Sequence, residues 1–166
     1  MQTTPAIYVG TYGKYNNGSI AGKWITLTQF DSREEFYEAC YELHKDEADP
    51  ELMFQDYEGI PTRFVSESGI NWDFIDGFKA AQDRGNESAF YAYTEWSFDA
   101  DFERFETLYR GEAEDEESYA EEYIESIGIL HDVPPLVSQY FDMESYAHDL
   151  FLNELAFVDG FVFRNC

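Results

Sequence analysis

The feature that most constrains this chain is its negative charge. The 166 residues contain 35 Asp and Glu against 10 Lys and Arg, a formal net charge of −25. Such a chain does not bind nucleic acid or an anionic membrane through a general basic surface, because like charges repel. Aromatic residues make up 19% of the sequence, which supplies apolar surface for a core. The sequence therefore predicts a folded, strongly acidic protein rather than a disordered acidic tail.

The acidic residues are distributed unevenly along the chain. Residues 1–30 contain no Asp or Glu, whereas positions 112–122 hold seven acids in eleven residues. A solvated helix face is the ordinary explanation of such a run, but ordinary protein surfaces mix both signs of charge. Adaptation to high salt would explain the acidity, but it gives no reason for so many aromatic residues. Concentrated charge of one sign is typical of a surface that meets a basic partner.

The amount of charge allows a comparison with DNA. B-DNA carries one charge per ~1.7 Å of its axis, so the 25 net charges of this chain would span roughly 42 Å at that density, about 12 base pairs. A compact chain of this length has a radius of gyration near ~15 Å, which would spread the charge thinly over all faces. Mimicry of a polyanion therefore requires an elongated shape, a one-sided distribution of charge, or both.

Local patterns predict an α+β fold, an elongated chain of three small subdomains. These are a ββαβ unit over residues 1–60, a helical middle over 61–103, and an acidic α+β unit over 104–166. Ser32 and Glu35 match a capping box, and Asp159-Gly160 lies between two aromatic, β-branched runs as in a tight hairpin. The predicted elements are strands at 6–12, 22–28, 52–57 and 155–164, a loop at 14–19, and helices at 33–45, 71–82, 86–96, 99–108, 116–127, 134–141 and 142–151.

No residue pattern indicates a catalytic or metal-binding centre. The histidines lack zinc-ligand spacing with either cysteine, so a core Cys40 beside His44 at the end of a helix is the better interpretation. The sequence has no Gly-x-Ser-x-Gly motif and no phosphate-binding glycine loop. With so many acids, carboxylates at catalytic spacing arise by chance, and an acidic hydrolase using a carboxylate pair stays open as the alternative. We expect no catalytic residue, no metal and no cofactor.

Cysteine content and hydropathy predict a cytoplasmic protein. The sequence holds two cysteines, Cys40 and Cys166, fewer than a secreted disulfide scaffold would carry. Its first residues show no basic stretch followed by an apolar run, and no apolar stretch is long enough for a membrane span. We expect both thiols to be free.

Two long motifs in the sequence resemble the ArdA family of antirestriction proteins. The first extends from Ile7 to Trp24, and the second from Glu42 to Pro61. Shorter matches begin at Tyr123 and at Tyr140, and the closing hairpin also fits. We interpret the best-matching residues of the first motif as turn and core residues: Lys14, Tyr15, Asn16, Gly18 and Trp24.

The resemblance implies a DNA mimic carried by mobile genetic elements during horizontal gene transfer. It implies an elongated homodimer that is not an enzyme and that binds neither nucleic acid nor membranes. Its partner would be a type I restriction–modification enzyme. The mimic would occupy the DNA-binding channel of the methyltransferase core and block restriction, and often modification.

The resemblance also places the dimer contact and the antirestriction motif in the C-terminal subdomain, roughly at residues 112–140. There we predict a DNA-mimicking acidic surface formed by Glu112, Glu114, Asp115, Glu116, Glu117, Glu121, Glu122 and Glu125. For the dimer contact we predict five apolar or aromatic residues, each equally well explained as a core residue: Tyr119, Tyr123, Ile124, Leu136 and Tyr140.

Overall fold

The computed structural model describes residues 1–165 and divides the chain into two compact units, residues 1–102 and the residues from 103 onward. Helices alternate with two small antiparallel sheets, which confirms the predicted α+β class. The division into three subdomains stays a prediction. Within the described residues, no helix is both long and apolar enough to cross a membrane. Cys40 is a free thiol, and Cys166 lies outside the described residues.

The first unit begins with a three-stranded sheet. Its central strand β1 (Ala6–Thr11) pairs with β2 (Lys23–Thr26) on one side and with β3 (Leu52–Glu58) on the other, both antiparallel. The core of this unit is aromatic and aliphatic, and includes Ile7, Val9 and Phe54. Helix α2 (Arg33–Leu43) contributes Phe36, whose ring lies 6.0 Å from that of Phe54.

Helix α2 begins where the capping pattern predicts. Ser32 Oγ accepts a hydrogen bond from the Glu35 N–H at 3.3 Å, and Glu35 Oε2 accepts one from the Asp31 N–H at 3.1 Å. The first bond satisfies a backbone donor that a helix start leaves without a partner, and the second ties the Glu35 side chain to the residue before the cap. The helix ends at Leu43, two residues before the predicted Lys45, because the backbone of His44 is no longer helical.

Two local predictions in the first sixty residues are wrong. The predicted loop at 14–19 is partly helical, because α1 (Tyr12–Asn16) forms one turn that is capped by Thr11 Oγ1. Strand β2 ends at Thr26 rather than residue 28, because Leu27–Gln29 form a 3₁₀ turn that buries Leu27. The predicted ββαβ unit therefore has an additional short helix between its first two strands.

The remainder of the first unit is helical, as predicted. Helix α3 (Trp72–Asp83) is capped by Asn71, whose Oδ1 accepts the Phe74 N–H at 3.2 Å, and α4 (Glu87–Ser97) follows. The Phe74 ring stacks on Phe64 at 5.4 Å and on Phe90 at 5.9 Å. These stacked rings form the aromatic core between α3 and α4, which explains much of the high aromatic content.

The second unit places helices on a small sheet. Its helices are α5 (Phe102–Leu108, which begins one residue before the unit), α6 (Glu116–Ile127), α7 (Pro135–Ser138) and α8 (Met143–Asn153). Its strands β4 (Tyr109–Glu112), β5 (Leu155–Val158) and β6 (Phe161–Arg164) form an antiparallel sheet in the order β4-β6-β5. The β5–β6 hairpin turns at Asp159-Gly160, where both residues have positive φ, as predicted.

The second unit also departs from the sequence predictions in two places. Helix α7 is a single turn that ends at Ser138, not at residue 141. Strand β4 was not predicted, because its sequence Tyr-Arg-Gly-Glu has no alternation of apolar and polar residues. It forms by pairing with β6 of the hairpin.

The contact between α3 and α4 leads to a stability prediction at Gly77. A methyl group at this buried glycine would collide with the ring of Phe90, at Cζ. We expect Gly77→Ala to lower the free energy of unfolding by about 1–3 kcal/mol, the usual effect of overpacking a core. A urea titration measures the change. Gln82→Ala, at an exposed site on the same helix, is the control and should stay within about 0.5 kcal/mol of wild type. A more stable Gly77→Ala would mean that helix propensity outweighs the contact.

Candidate functional site

The eight predicted surface acids lie together in one segment of the second unit. Glu112 ends β4, Glu114 and Asp115 lie in the connection that follows, and the other five are on α6. All eight side chains are exposed. Acidic residues also dominate the surface of the rest of the chain, since all 35 are exposed except the half-buried Glu47, Glu87 and Asp99.

Helix α6 forms because its ends are well capped and one face is apolar. Asp115 Oδ1 accepts the Ser118 N–H at 2.7 Å at the start of the helix, and Gly128 ends it with a left-handed backbone. Ala120 and Ile124, four residues apart, are buried. The acids are directed to the remaining faces, where water hydrates them.

The hydrogen bonds at this cap also perturb the acidity of Asp115. The Ser118 backbone N–H, its hydroxyl and the Glu117 N–H hold the pKa of the Asp115 carboxyl below its ordinary value. Asp142 caps α8 in the same way, and Ser145 lowers the pKa of its carboxyl. Both carboxylates are therefore ionised throughout the neutral range.

A second acidic helix face lies beside the first. Helices α6 and α8 pack through a core that includes Ala120, Ala147 and Leu150. The groove along this pair has a volume of about 570 Å³, and its lining contains four carboxylates: Glu116, Glu117, Glu144 and Asp149. This packing brings carboxylates of the two helices to one groove.

No basic side chain neutralises the predicted surface. The second unit contains 16 acids but only three bases, Arg104, Arg110 and Arg164. The Arg110 guanidinium donates to the carbonyl oxygens of Thr107 and Tyr109 rather than to a carboxylate. Across the described residues, none of the eight acids forms an ion pair. Their charge is therefore free to act on a partner.

The five residues predicted for a dimer contact divide into two groups. Ile124 is only 4% exposed, and half-buried Tyr119 packs edge-on against Phe151 at 5.8 Å, so both belong to the unit's own core. The other three are exposed: Tyr123 by 38%, Leu136 by 67% and Tyr140 by 81%. Ile127, Ile129 and Val137 are exposed in the same stretch, and large exposed apolar side chains mark interaction sites.

Cys40 lies in the core of the first unit, as predicted, and His44 at the end of α2 is buried as well. Burial raises the pKa of the Cys40 thiol to about 12, so the thiol stays protonated. His44 Nε2 donates to the Val9 carbonyl oxygen at 3.1 Å, which leaves Nδ1 to accept from Lys14 Nζ at 2.8 Å. Lys14 also pairs with Asp46 at 2.9 Å. In the described part of the chain, no group of three or more potential ligands has the geometry of a metal site.

The residues of the first motif agree only in part with their interpretation as turn and core residues. Lys14 is a structural residue, as interpreted, because it ties α1 to the end of α2. Trp24 is not a core residue, since it is 43% exposed, whereas the 52% exposed Tyr15 agrees with a turn residue. Nothing in the sequence indicates the exposure of Trp24, because an aromatic residue in a strand ordinarily indicates burial.

The fold and surface define a class: a strongly acidic α+β protein whose C-terminal unit carries eight exposed carboxylates that form no ion pair among the described residues. The model of the family described as "Antirestriction protein (ArdA)" matches residues 7–163. The chain therefore belongs to the ArdA antirestriction protein family. A search of curated proteins found no match.

The cap of α6 leads to a prediction of pH dependence. Because the folded pKa of Asp115 is depressed, its carboxylate stabilises the fold above its ordinary pKa of about 3.9, and this stabilisation is lost as the pH falls through the folded pKa. The Asp115 carboxyl carbon should titrate below pH 3.9 in an NMR titration. Asp115→Asn keeps the capping oxygen without the charge, so α6 should then lose less stability on acidification. Titration of Asp115 at or above its ordinary pKa would contradict the capping explanation.

Proposed function

We propose that this antirestriction protein is a DNA mimic that binds in the DNA-binding channel of a type I restriction–modification enzyme. The observation that carries the proposal is the set of eight exposed acids, Glu112 to Glu125, without an ion-pair partner among the described residues. A carboxylate offers one negative charge and two acceptor oxygens, so it can meet the Arg and Lys side chains that otherwise hold phosphates. The protein would act by occupancy, without catalysis or cofactor, on an enzyme in the cytoplasm.

The geometry of the acidic helices supports this role. Carboxylates from α6 and α8 line one groove and present a second row of charge beside the first. A DNA groove is likewise flanked by two rows of charge. The density of acids is greatest in the second unit, which has 16 in 64 residues against 19 in the first 102.

We further propose that two protomers associate through the second unit. The exposed Tyr123, Leu136 and Tyr140 supply the apolar surface for this contact, with Tyr119 and Ile124 as the core beneath it. Two protomers would double the length of the mimic from roughly 42 Å to roughly 84 Å, by the spacing of charges along DNA. The longer surface would fill more of an extended channel.

The proposal is tested by titrating the protein against a type I enzyme that cuts an unmodified plasmid. Inhibition should be stoichiometric with the enzyme and competitive with DNA. It should weaken as salt rises, because ions screen exposed charges. A substrate turned over by the protein, or simultaneous binding of DNA and protein in one channel, would contradict mimicry.

The same assay shows how the charge is shared among the carboxylates. Glu121→Gln should weaken inhibition at most about fivefold, because one exposed ion pair contributes ~0.2–1 kcal/mol. Neutralising all seven acids between Glu112 and Glu122 should weaken it progressively with the number removed, using Asp115→Asn so that α6 keeps its cap. Circular dichroism confirms that each variant is folded. A single neutral variant that abolishes inhibition would indicate a specific catalytic or binding pocket instead.

The dimer contact is tested by a charge placed on its most exposed aromatic residue. Tyr140→Asp should dissociate the dimer into monomers of 19.4 kDa in sedimentation experiments. Tyr41→Asp, at a half-exposed tyrosine of α2 in the first unit, is the matched control and should leave the dimer intact. A wild-type protein that is monomeric at micromolar concentration, or a Tyr140→Asp variant that remains a dimer, would exclude this contact.

A further inference from the structure

The first unit has a surface groove that has no role in the function proposed for the acidic surface of the second unit. The groove has a volume of about 580 Å³, and its lining combines the aromatic residues Tyr8, Tyr15 and Trp24 with the carboxylates of Asp56 and Glu67. Trp24 is a residue of the first motif whose exposure the sequence does not predict. An exposed tryptophan beside an exposed tyrosine on a folded unit calls for a binding function.

The strand register builds the groove across the sheet. Tyr8 on β1 lies directly opposite Trp24 on β2 and directly opposite Asp56 on β3. Residues opposite one another in antiparallel strands share one face of the sheet. The row Trp24–Tyr8–Asp56 therefore crosses the sheet on the face opposite to the buried Ile7 and Val9. A carboxylate thus lies at one end of an aromatic row.

The two rings of this row form an angled pair. The ring centroids of Tyr8 and Trp24 lie 5.8 Å apart, and the ring planes make an angle of 68°. The Tyr8 hydroxyl donates to the Ile20 carbonyl oxygen at 2.8 Å, which fixes the ring. Gly22 allows the chain to pass close to β1, since a Cβ there would collide with the Val9 carbonyl oxygen. The Tyr8 ring is therefore held in place by contacts within the chain.

Hydrogen-bond acceptors surround the aromatic surface. Asp56 and Glu67 are exposed. The Asp56 carboxylate accepts one recorded hydrogen bond, from the Tyr57 N–H, and the Glu67 carboxylate accepts one from the Tyr12 hydroxyl. Gln55 also lines the groove, as the extra residue of a β-bulge opposite Tyr8 and Val9. Gln55 Oε1 is buried and has no hydrogen-bond partner in the described residues. Turning this amide toward an incoming donor breaks no recorded hydrogen bond of that oxygen.

Aromatic rings together with carboxylate and amide acceptors favour binding of a planar cation. No Lys or Arg is among the lining residues in the described chain. The faces of aromatic rings attract cations, and the carboxylates add charge and acceptors. A guanidinium is planar, stacks on aromatic rings and carries five N–H donors, whereas an ammonium is a compact, strongly hydrated charge. We propose that this groove binds an arginine side chain of a partner protein.

The proposal deepens the proposed function, on which it rests only for the identity of the partner. A DNA-binding channel is rich in arginine, and this groove would hold one of them by stacking as well as by charge. The affinity of the groove for a guanidinium belongs to this chain alone. It is therefore measured on the isolated protein, without any restriction enzyme.

The experiment is an NMR titration of the full chain with Nα-acetyl-L-arginine methylamide. The indole N–H of Trp24 is the reporter, and the indoles of Trp72 and Trp96 are internal references. The Trp24 signal should shift and saturate with the arginine compound. The citrulline analogue, which is flat but neutral, should produce no saturable shift, and the lysine analogue should bind more weakly than arginine. A linear shift, or equal shifts with arginine and citrulline, would overturn the proposal.

Two variants with the same change in net charge localise the binding. Asp56→Asn keeps the acceptor for the Tyr57 N–H and should weaken arginine binding about threefold, within the range for one exposed ion pair. Asp83→Asn, an exposed acid at the end of α3 that does not line the groove, should leave the affinity unchanged. If the two variants weaken arginine binding equally, arginine binds to the acidic surface only through its general negative charge. That result would overturn the proposed arginine site.

The outcomes separate this proposal from the proposed function. If the Trp24 signal saturates with arginine but the protein does not inhibit restriction, the result would support the arginine site and contradict DNA mimicry. A protein that inhibits restriction but shows no saturable arginine binding at Trp24 would support the mimic and overturn the groove.

Discussion

Repulsion between carboxylates destabilises the second unit, and the rest of its structure has to offset this cost. Glu117, Glu121 and Glu125 follow one another at intervals of four residues on α6, the spacing at which like charges destabilise a helix. Three features oppose this repulsion: the Asp115 cap, the placement of Glu116 and Glu117 in the first turn, where the helix dipole favours negative charge, and the burial of Ala120 and Ile124. All eight acids stay exposed, where water reduces the remaining cost.

The sequence was most informative where a structural feature depends on a few adjacent residues. The Ser32 cap, the Asn71 cap and the Asp159-Gly160 turn each act through local backbone chemistry, so the short motifs predicted them correctly. It failed where an element depends on a distant partner. Strand β4 is extended because β6 pairs with it, and the four residues of β4 give no sign of this. The short helix α1 was missed because the asparagines and the glycine after it indicated a loop.

The candidate site shows the same difference between local and distant causes. That the acids would be exposed follows from their chemistry and from the apolar spacing of Ala120 and Ile124, which assigns the opposite face to solvent. Which aromatic residues remain exposed depends on what covers them in the fold. Tyr119 packs against Phe151, whereas Tyr140 is 81% exposed. Composition alone cannot separate these two tyrosines. The same limit explains why the sequence does not predict the exposure of Trp24.

An arginine groove on the first unit would add aromatic stacking to what the exposed carboxylates of the second unit offer. Carboxylates can replace phosphates, because both are anions with acceptor oxygens. DNA, however, also presents flat bases with acceptor edges, and arginine is the side chain that most often reads them. Tyr8 and Trp24 offer aromatic surface, and Asp56 and Gln55 offer acceptors beside it. Stacking is less sensitive to salt than attraction between exposed charges. A mimic with both features would therefore retain part of its affinity for an arginine-rich channel at salt concentrations that weaken a purely electrostatic contact.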